Sequence, residues 1–281
     1  MDRAARKETA ARFIPLARGR RLALDRPLVM GILNATPDSF SDGGRLASPA
    51  QVEDRVRQMV ADGADVLDVG GESTRPGHTR VPADEEIRRV VPVVAAIRRL
   101  APQALVSIDT SKAAVAAAAL AAGADLVNDV SALGDAAMAG VVRGAGCAIV
   151  LMRHRPLQGS DVVAAAKAQL DALAANAVAQ GIAESAILVD PGLGFGDPPG
   201  GDVEANMALL QSGREIAAGR PVVVGASRKR FLGTMTGEVV PDRRVAASVA
   251  AAVLAVGSGA DLVRVHDVKE TVAALRVLRR A

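Results

Sequence analysis

Arg264-Val-His266 ends the last apolar run of the chain, and the one-residue gap aims both side chains to the same side of a strand. A guanidinium beside an imidazole is anion chemistry, because the planar Arg fork matches phosphate oxygens bidentately. The structural alternative pairs Arg264 with Asp267 and leaves His266 to cap the last helix. A second set, Asp109, Asn128, Asp190 and Lys229, stands at the ends of four other apolar runs. Two carboxylates, an amide and an ammonium, with no His among them, do not read as a lone metal site. They match a heterocycle with a guanidine-like donor edge. Asp190 would accept two parallel N–H bonds, Asn128 would donate and accept, and Lys229 would reach a ring carbonyl. Each charged hydrogen bond contributes ~1.5–3 kcal/mol. A structural ion pair between Lys229 and one of the acids fits the sequence equally well.

These residues need a scaffold that gathers strand ends. Apolar runs near 28–33, 65–69, 105–108, 125–127, 147–151, 186–189, 221–224 and 262–265 alternate with helical segments. The runs are continuous rather than alternating, the pattern of a parallel sheet buried on both faces. Eight strand–helix units predict an α/β chain folded as a single-domain (β/α)8 TIM barrel, with its chemistry at the C-terminal strand ends. Ring closure sets strand eight beside strand one, so Arg264 and His266 lie next to Asn34, with Thr74 and Arg75 flanking the same edge. An amide oxygen such as that of Asn34 can hold Mg2+ while water and phosphate supply most of the coordination. That edge therefore reads as a diphosphate site with its metal. Phe195, between Gly194 and Gly196, either walls a planar ligand or plugs its own loop. Ser48-Pro49 opens the first helix, and Thr110 or Ser111 is expected to cap the helix after strand three.

Composition narrows the classes. The chain has 281 residues, half of them hydrophobic, with no Trp, no Tyr and four Phe, so its core is aliphatic and stacking on nucleic-acid bases is disfavoured. Its formal charge of +3 is a small excess of 34 basic over 31 acidic residues. One cysteine, Cys147, excludes an internal disulfide and fits a reducing, cytoplasmic setting. No apolar run reads as a membrane span. Residues 1–26 read as a basic, poorly ordered leader, and 27–281 as the barrel. The segment 245–256 is apolar nearly all round, which predicts a homodimer through that helix, with Ala-rich composition as the simpler account.

Seven blocks along the chain resemble the dihydropteroate synthase family of pterin-binding enzymes. They are Met30–Gly44, Gly70–Gly77, Ser107–Thr110, Asn128–Ser131, Asp190–Gly196, Ser227–Lys229 and Arg264–Val268, in family order. The resemblance implies coupling of a dihydropterin CH2-pyrophosphate to 4-aminobenzoate. It implies that Asn34 helps bind Mg2+ and that Thr74, Asp109, Asn128, Asp190, Lys229, Arg264 and His266 contact the pterin pyrophosphate. Arg75 would lie by the anion, and Phe40, Pro76 and Ser227 would line the aminobenzoate pocket. Met152 and Phe195 complete the expected pterin surroundings. Catalysis would rest on Arg75, Arg264, His266 and Lys229. Two positions depart from the family: Met152 is followed by Arg153 where Met-His is usual, and Asp197 replaces a basic residue. A folate-dependent corrinoid methyltransferase and a non-catalytic pterin-binding paralogue share parts of this pattern.

Overall fold

Buried apolar runs become the strands of a closed barrel. The computed structural model describes residues 12–35, 48–72, 80–196 and 202–278. A two-stranded hairpin, β1 (Phe13–Pro15) and β2 (Arg21–Ala23), precedes the barrel. Eight strands follow: β3 (Leu28–Asn34), β4 (Val66–Gly70), β5 (Leu105–Asp109), β6 (Leu126–Asp129), β7 (Ile149–Met152), β8 (Ile187–Asp190), β9 (Val223–Val224) and β10 (Leu262–Val265). Their order is β8-β7-β6-β5-β4-β3-β10-β9, every pair is parallel, and a parallel bridge between Val189 and Val222 closes the ring.

The helices between them are α1 (Pro49–Ala61), α2 (Ala83–Leu100), α3 (Ala113–Ala122), α4 (Met138–Ala145), α5 (Val162–Ala179), α6 (Val203–Leu210), α7 (Gly213–Ala217), α8 (Arg230–Thr236), α9 (Val245–Gly257) and α10 (Val268–Leu278). Ser48 and Gln51 form a reciprocal capping box at α1, as the Ser-Pro start predicts. The expected hydroxyl cap of α3 is corrected: Lys112 is the N-cap residue, and Asp135 instead accepts the Ala113 N–H at 2.9 Å. The short α7 and α8 carry too few residues to show a helical period in the sequence.

One parity of each strand faces the barrel interior. Leu28, Met30, Val66, Leu126, Ala148, Val150, Leu188, Val223 and Leu262 form a cluster with Ile14, Leu16 and Leu22 of the hairpin segment. The opposite parity packs on the helices. The hairpin thus plugs the N-terminal end of the barrel, and the poorly ordered leader is corrected for residues 12–26. Ala17 N–H donates to the Asp125 carbonyl at 2.9 Å, and Arg18 and Arg20 grip the Asp125 carboxylate. Among the described residues α5 has the length and apolar composition of a membrane span, contrary to the expectation that no apolar run does. It packs on β7 and β8, buries Ala166, Leu170, Ala174 and Ala177, and pairs Lys167 with Asp171.

Candidate functional site

Two residues further up the inward parity, the lining turns polar. Ser107 and Asp68 come first, then Asp109, Asn128, Asp190, Met152, Arg264 and His266, with Gly70 and Gly225 between them. Asp68 was not singled out in the sequence, although it sits two residues before Gly70 on the inward face. It is fully buried and accepts the Arg264 Nε–H at 2.6 Å and the Asn128 amide at 3.2 Å. Arg264 Nη2 donates to Asp109 at 2.6 Å. Arg264 therefore crosses the barrel mouth from β10 and bridges the acids of β4 and β5. Its pairing with Asp267 does not occur, because Arg228 holds that carboxylate at 2.6 Å.

Burial is the main influence on these charges. It lifts the Asp109 carboxyl to about 7, together with the nearby Asp68 and against the pull of Arg264. Burial also raises Asp190, opposed by Lys229, the Gly192 N–H and Arg264. Burial disfavours the Arg264 cation, but Asp68 and Asp109 outweigh it and the guanidinium stays charged. The two glycines leave room beside these groups. A Cβ at Gly70 would lie 3.7 Å from Asp109 Oδ2, and one at Gly225 would lie 4.0 Å from Asp190 Oδ2.

On the opposite side, Asp190 Oδ1 accepts the Gly192 N–H at 2.7 Å. Lys229, the residue before α8, donates from Nζ to the Leu193 carbonyl and lies 4.8 Å from the Phe195 ring centroid. Met152 is buried level with Asp190. Ser227 was expected to line a pocket. Its Oγ accepts the His266 backbone N–H at 3.2 Å and stands 3.0 Å from His266 Nδ1. The hydroxyl proton is then free for Nδ1, which would keep the imidazole proton on Nε2.

Asn34 ends β3 half-buried, and a Gly70 Cβ would lie 3.9 Å from its Oδ1. Thr74, Arg75 and Pro76, and Phe40, lie outside the described residues, as does Asp197. The chain on either side of residues 73–79 is tied together: Glu72 Oε2 accepts Lys112 Nζ at 2.5 Å and the Val81 N–H at 3.0 Å, and Lys112 also reaches buried Glu86 at 2.5 Å.

A closed parallel barrel with acids, an amide and cations on its inward C-terminal positions is the architecture of a barrel enzyme, whose chemistry sits at those strand ends. The family model of pterin binding enzymes matches residues 30–266, and the chain belongs to that family. A dihydropteroate synthase of Mycobacterium leprae (strain TN) is 46% identical over 267 residues, covering 89% of this chain and 92% of that protein. Xanthomonas albilineans dihydropteroate synthase solved with 4-aminobenzoic acid is 44% identical with a TM-score of 0.86, covering 96% of this chain and 98% of that one. The same enzyme in complex with 7,8-dihydropteroate is 43% identical with a TM-score of 0.83, over 95% and 98% of the two chains. Yersinia pestis dihydropteroate synthase in a sulfonamide drug complex is 40% identical with a TM-score of 0.86, over 94% and 97%.

Proposed function

We propose that this chain condenses 6-hydroxymethyl-7,8-dihydropterin pyrophosphate with 4-aminobenzoate to give 7,8-dihydropteroate and pyrophosphate. The observation that carries the reading is the inward ring of buried Asp109, Asn128 and Asp190 around Arg264, with glycine gaps at 70 and 225. Relatives of this identity and coverage are dihydropteroate synthases, which are transferases.

The methylene–oxygen bond to pyrophosphate breaks with its electron pair leaving on the anion, and the aniline lone pair forms the new carbon–nitrogen bond. The amine proton passes to solvent. No strong base is required, so the residues act by stabilising charge. Asp109, Asn128 and Asp190 hold the ring and favour its developing positive charge, with Met152 and Phe195 as apolar walls. Arg264, His266, Thr74 and Arg75 receive the departing anion. Lys229 reaches from the Phe195 face toward the ring. Ser227 orients His266, and Phe40 and Pro76 complete the aminobenzoate side. Asn34 would hold Mg2+ through its one hard amide oxygen, with water and phosphate supplying most of the coordination. Bound there, the ion supplies neutralisation of pyrophosphate charge.

Pyrophosphate release from the two substrates together tests the reaction, and sulfonamide is expected to inhibit it, because Gly71-Glu-Ser-Thr-Arg-Pro76 keeps the family pattern. Pterin binding without release would leave a binding protein, and full activity at high sulfonamide would overturn the inhibitor reading.

We also propose a cytoplasmic homodimer formed through α9. Leu254 on α9 and Met235, Val239 and Val240 before it are exposed apolar residues. Sedimentation equilibrium is expected to give twice the chain mass, and Leu254→Glu to lower it. A monomer mass for the unsubstituted chain refutes the dimer.

A further inference from the structure

Arg153 is a charged residue at 0% exposure, and it lies outside the inward ring. Its guanidinium is spent on main-chain carbonyls. Nε donates to Pro191 at 2.8 Å, Nη2 to Gly192 at 2.9 Å and Phe195 at 3.2 Å, and Nη1 to Arg155 at 2.6 Å. Its backbone N–H donates to the Asp190 carbonyl at 3.0 Å. Its own carbonyl fills the space beside Gly192, where a Cβ would lie 1.9 Å away, and Gly192 takes φ +64°. The loop after β8 is therefore folded around this one side chain.

That loop carries three groups of the pterin side. Asp190 begins it, the Leu193 carbonyl receives Lys229 Nζ, and the Phe195 ring lies beneath the same ammonium. A planar fork with five donors can satisfy several carbonyls at once; an imidazole, with two ring nitrogens, cannot. We propose that Arg153 is a positioning residue for the pterin substrate: by gripping Pro191, Gly192 and Phe195 it sets the spacing between the Asp190 carboxylate and the Lys229 ammonium. The proposal rests on the dihydropteroate synthase reading and extends it to a residue outside the ring.

The test is steady-state kinetics of Arg153→Lys and Arg153→Met, with melting temperature and calorimetric titration by 7,8-dihydropteroate alongside. The KM for the pterin pyrophosphate is expected to rise about tenfold or more in Arg153→Met and by less in Arg153→Lys, which keeps charge but loses the fork. The KM for 4-aminobenzoate is expected to stay within about twofold. Dihydropteroate affinity should fall in step with the pterin KM. An unchanged pterin KM with a lowered melting temperature, or equal rises in both KM values, overturns the proposal. If Arg153→Met does not fold, Arg153→Lys decides by the same split. Absence of turnover in the unsubstituted chain counts against the functional reading, and the calorimetric series then decides the clamp by itself.

Discussion

Arg264→Met is expected to cut turnover by roughly a hundredfold or more and to cost roughly 3–5 kcal/mol of folding stability. The activity loss follows from the proposed role of Arg264 in receiving the departing anion and from the loosening of Asp109, which it holds. The stability loss has another source. Arg264 is the shared partner of Asp68 and Asp109, and its removal leaves two buried carboxylates facing each other. The loss should also depend on pH with a defined sign. The Asp109 pKa is raised from 3.8 to about 7, so the folded protein keeps a proton that the unfolded chain has released. That contribution is fully present below about pH 3.8 and is lost as pH rises through about 7. Arg264 offsets the charge that then appears. The gap between the parent and Arg264→Met should therefore be widest near pH 8 and narrow toward pH 5. Adding Asp109→Asn to Arg264→Met should recover part of the stability and flatten the pH dependence. Urea denaturation at both pH values measures this, and a gap that does not move with pH sinks the account.

The same pair shows what the sequence could disclose. Arg264 and His266 were legible because Arg-x-His on a strand fixes a common face, and Asp109, Asn128 and Asp190 because each ends an apolar run. Strand parity also contained Asp68, at two residues from Gly70. Inside Leu-Asp-Val-Gly it reads as one polar interruption, and only the ring closure brings Arg264 across to it. Among the described residues, its Oδ1 and the Ser107 Oγ are buried without a hydrogen-bond partner. These atoms belong to the layer directly beneath Asp109. Arg153 was visible as a departure, but residue type does not reveal that a loop 38 residues later wraps its guanidinium. The barrel followed from eight repeated units; the hairpin did not, because strands of three residues show no period. Its partners are distant, with Arg18 and Asp125 separated by 107 residues in sequence.

That separation underlies the second large effect. Asp125→Ala is expected to cost roughly 3–5 kcal/mol and to lower the melting temperature by roughly 6–20 °C. The carboxylate is fully buried at the N-terminal end of the barrel and accepts from Arg18 at 2.7 Å, Arg20 at 3.0 Å, Arg98 and the Val106 N–H at 2.8 Å. Removing it leaves three guanidiniums around one cavity, and burial already lowers the pKa of Arg98. It also unties the hairpin from α2 and β5, so hydrogen exchange should accelerate first at the backbone amides of residues 13–23. The catalytic constants at low temperature should stay within about twofold of the parent, because the chemistry of such a barrel sits at the opposite strand ends. An unchanged denaturation midpoint would show that the three arginines are held by their carbonyl partners alone: Arg18 by Gly123 and Ala124, Arg20 by Gln103 and Arg98 by Ala104. A matching loss of catalytic efficiency at low temperature would show instead that the two ends of the barrel are coupled, and that the hairpin plug shapes the ring of acids above it.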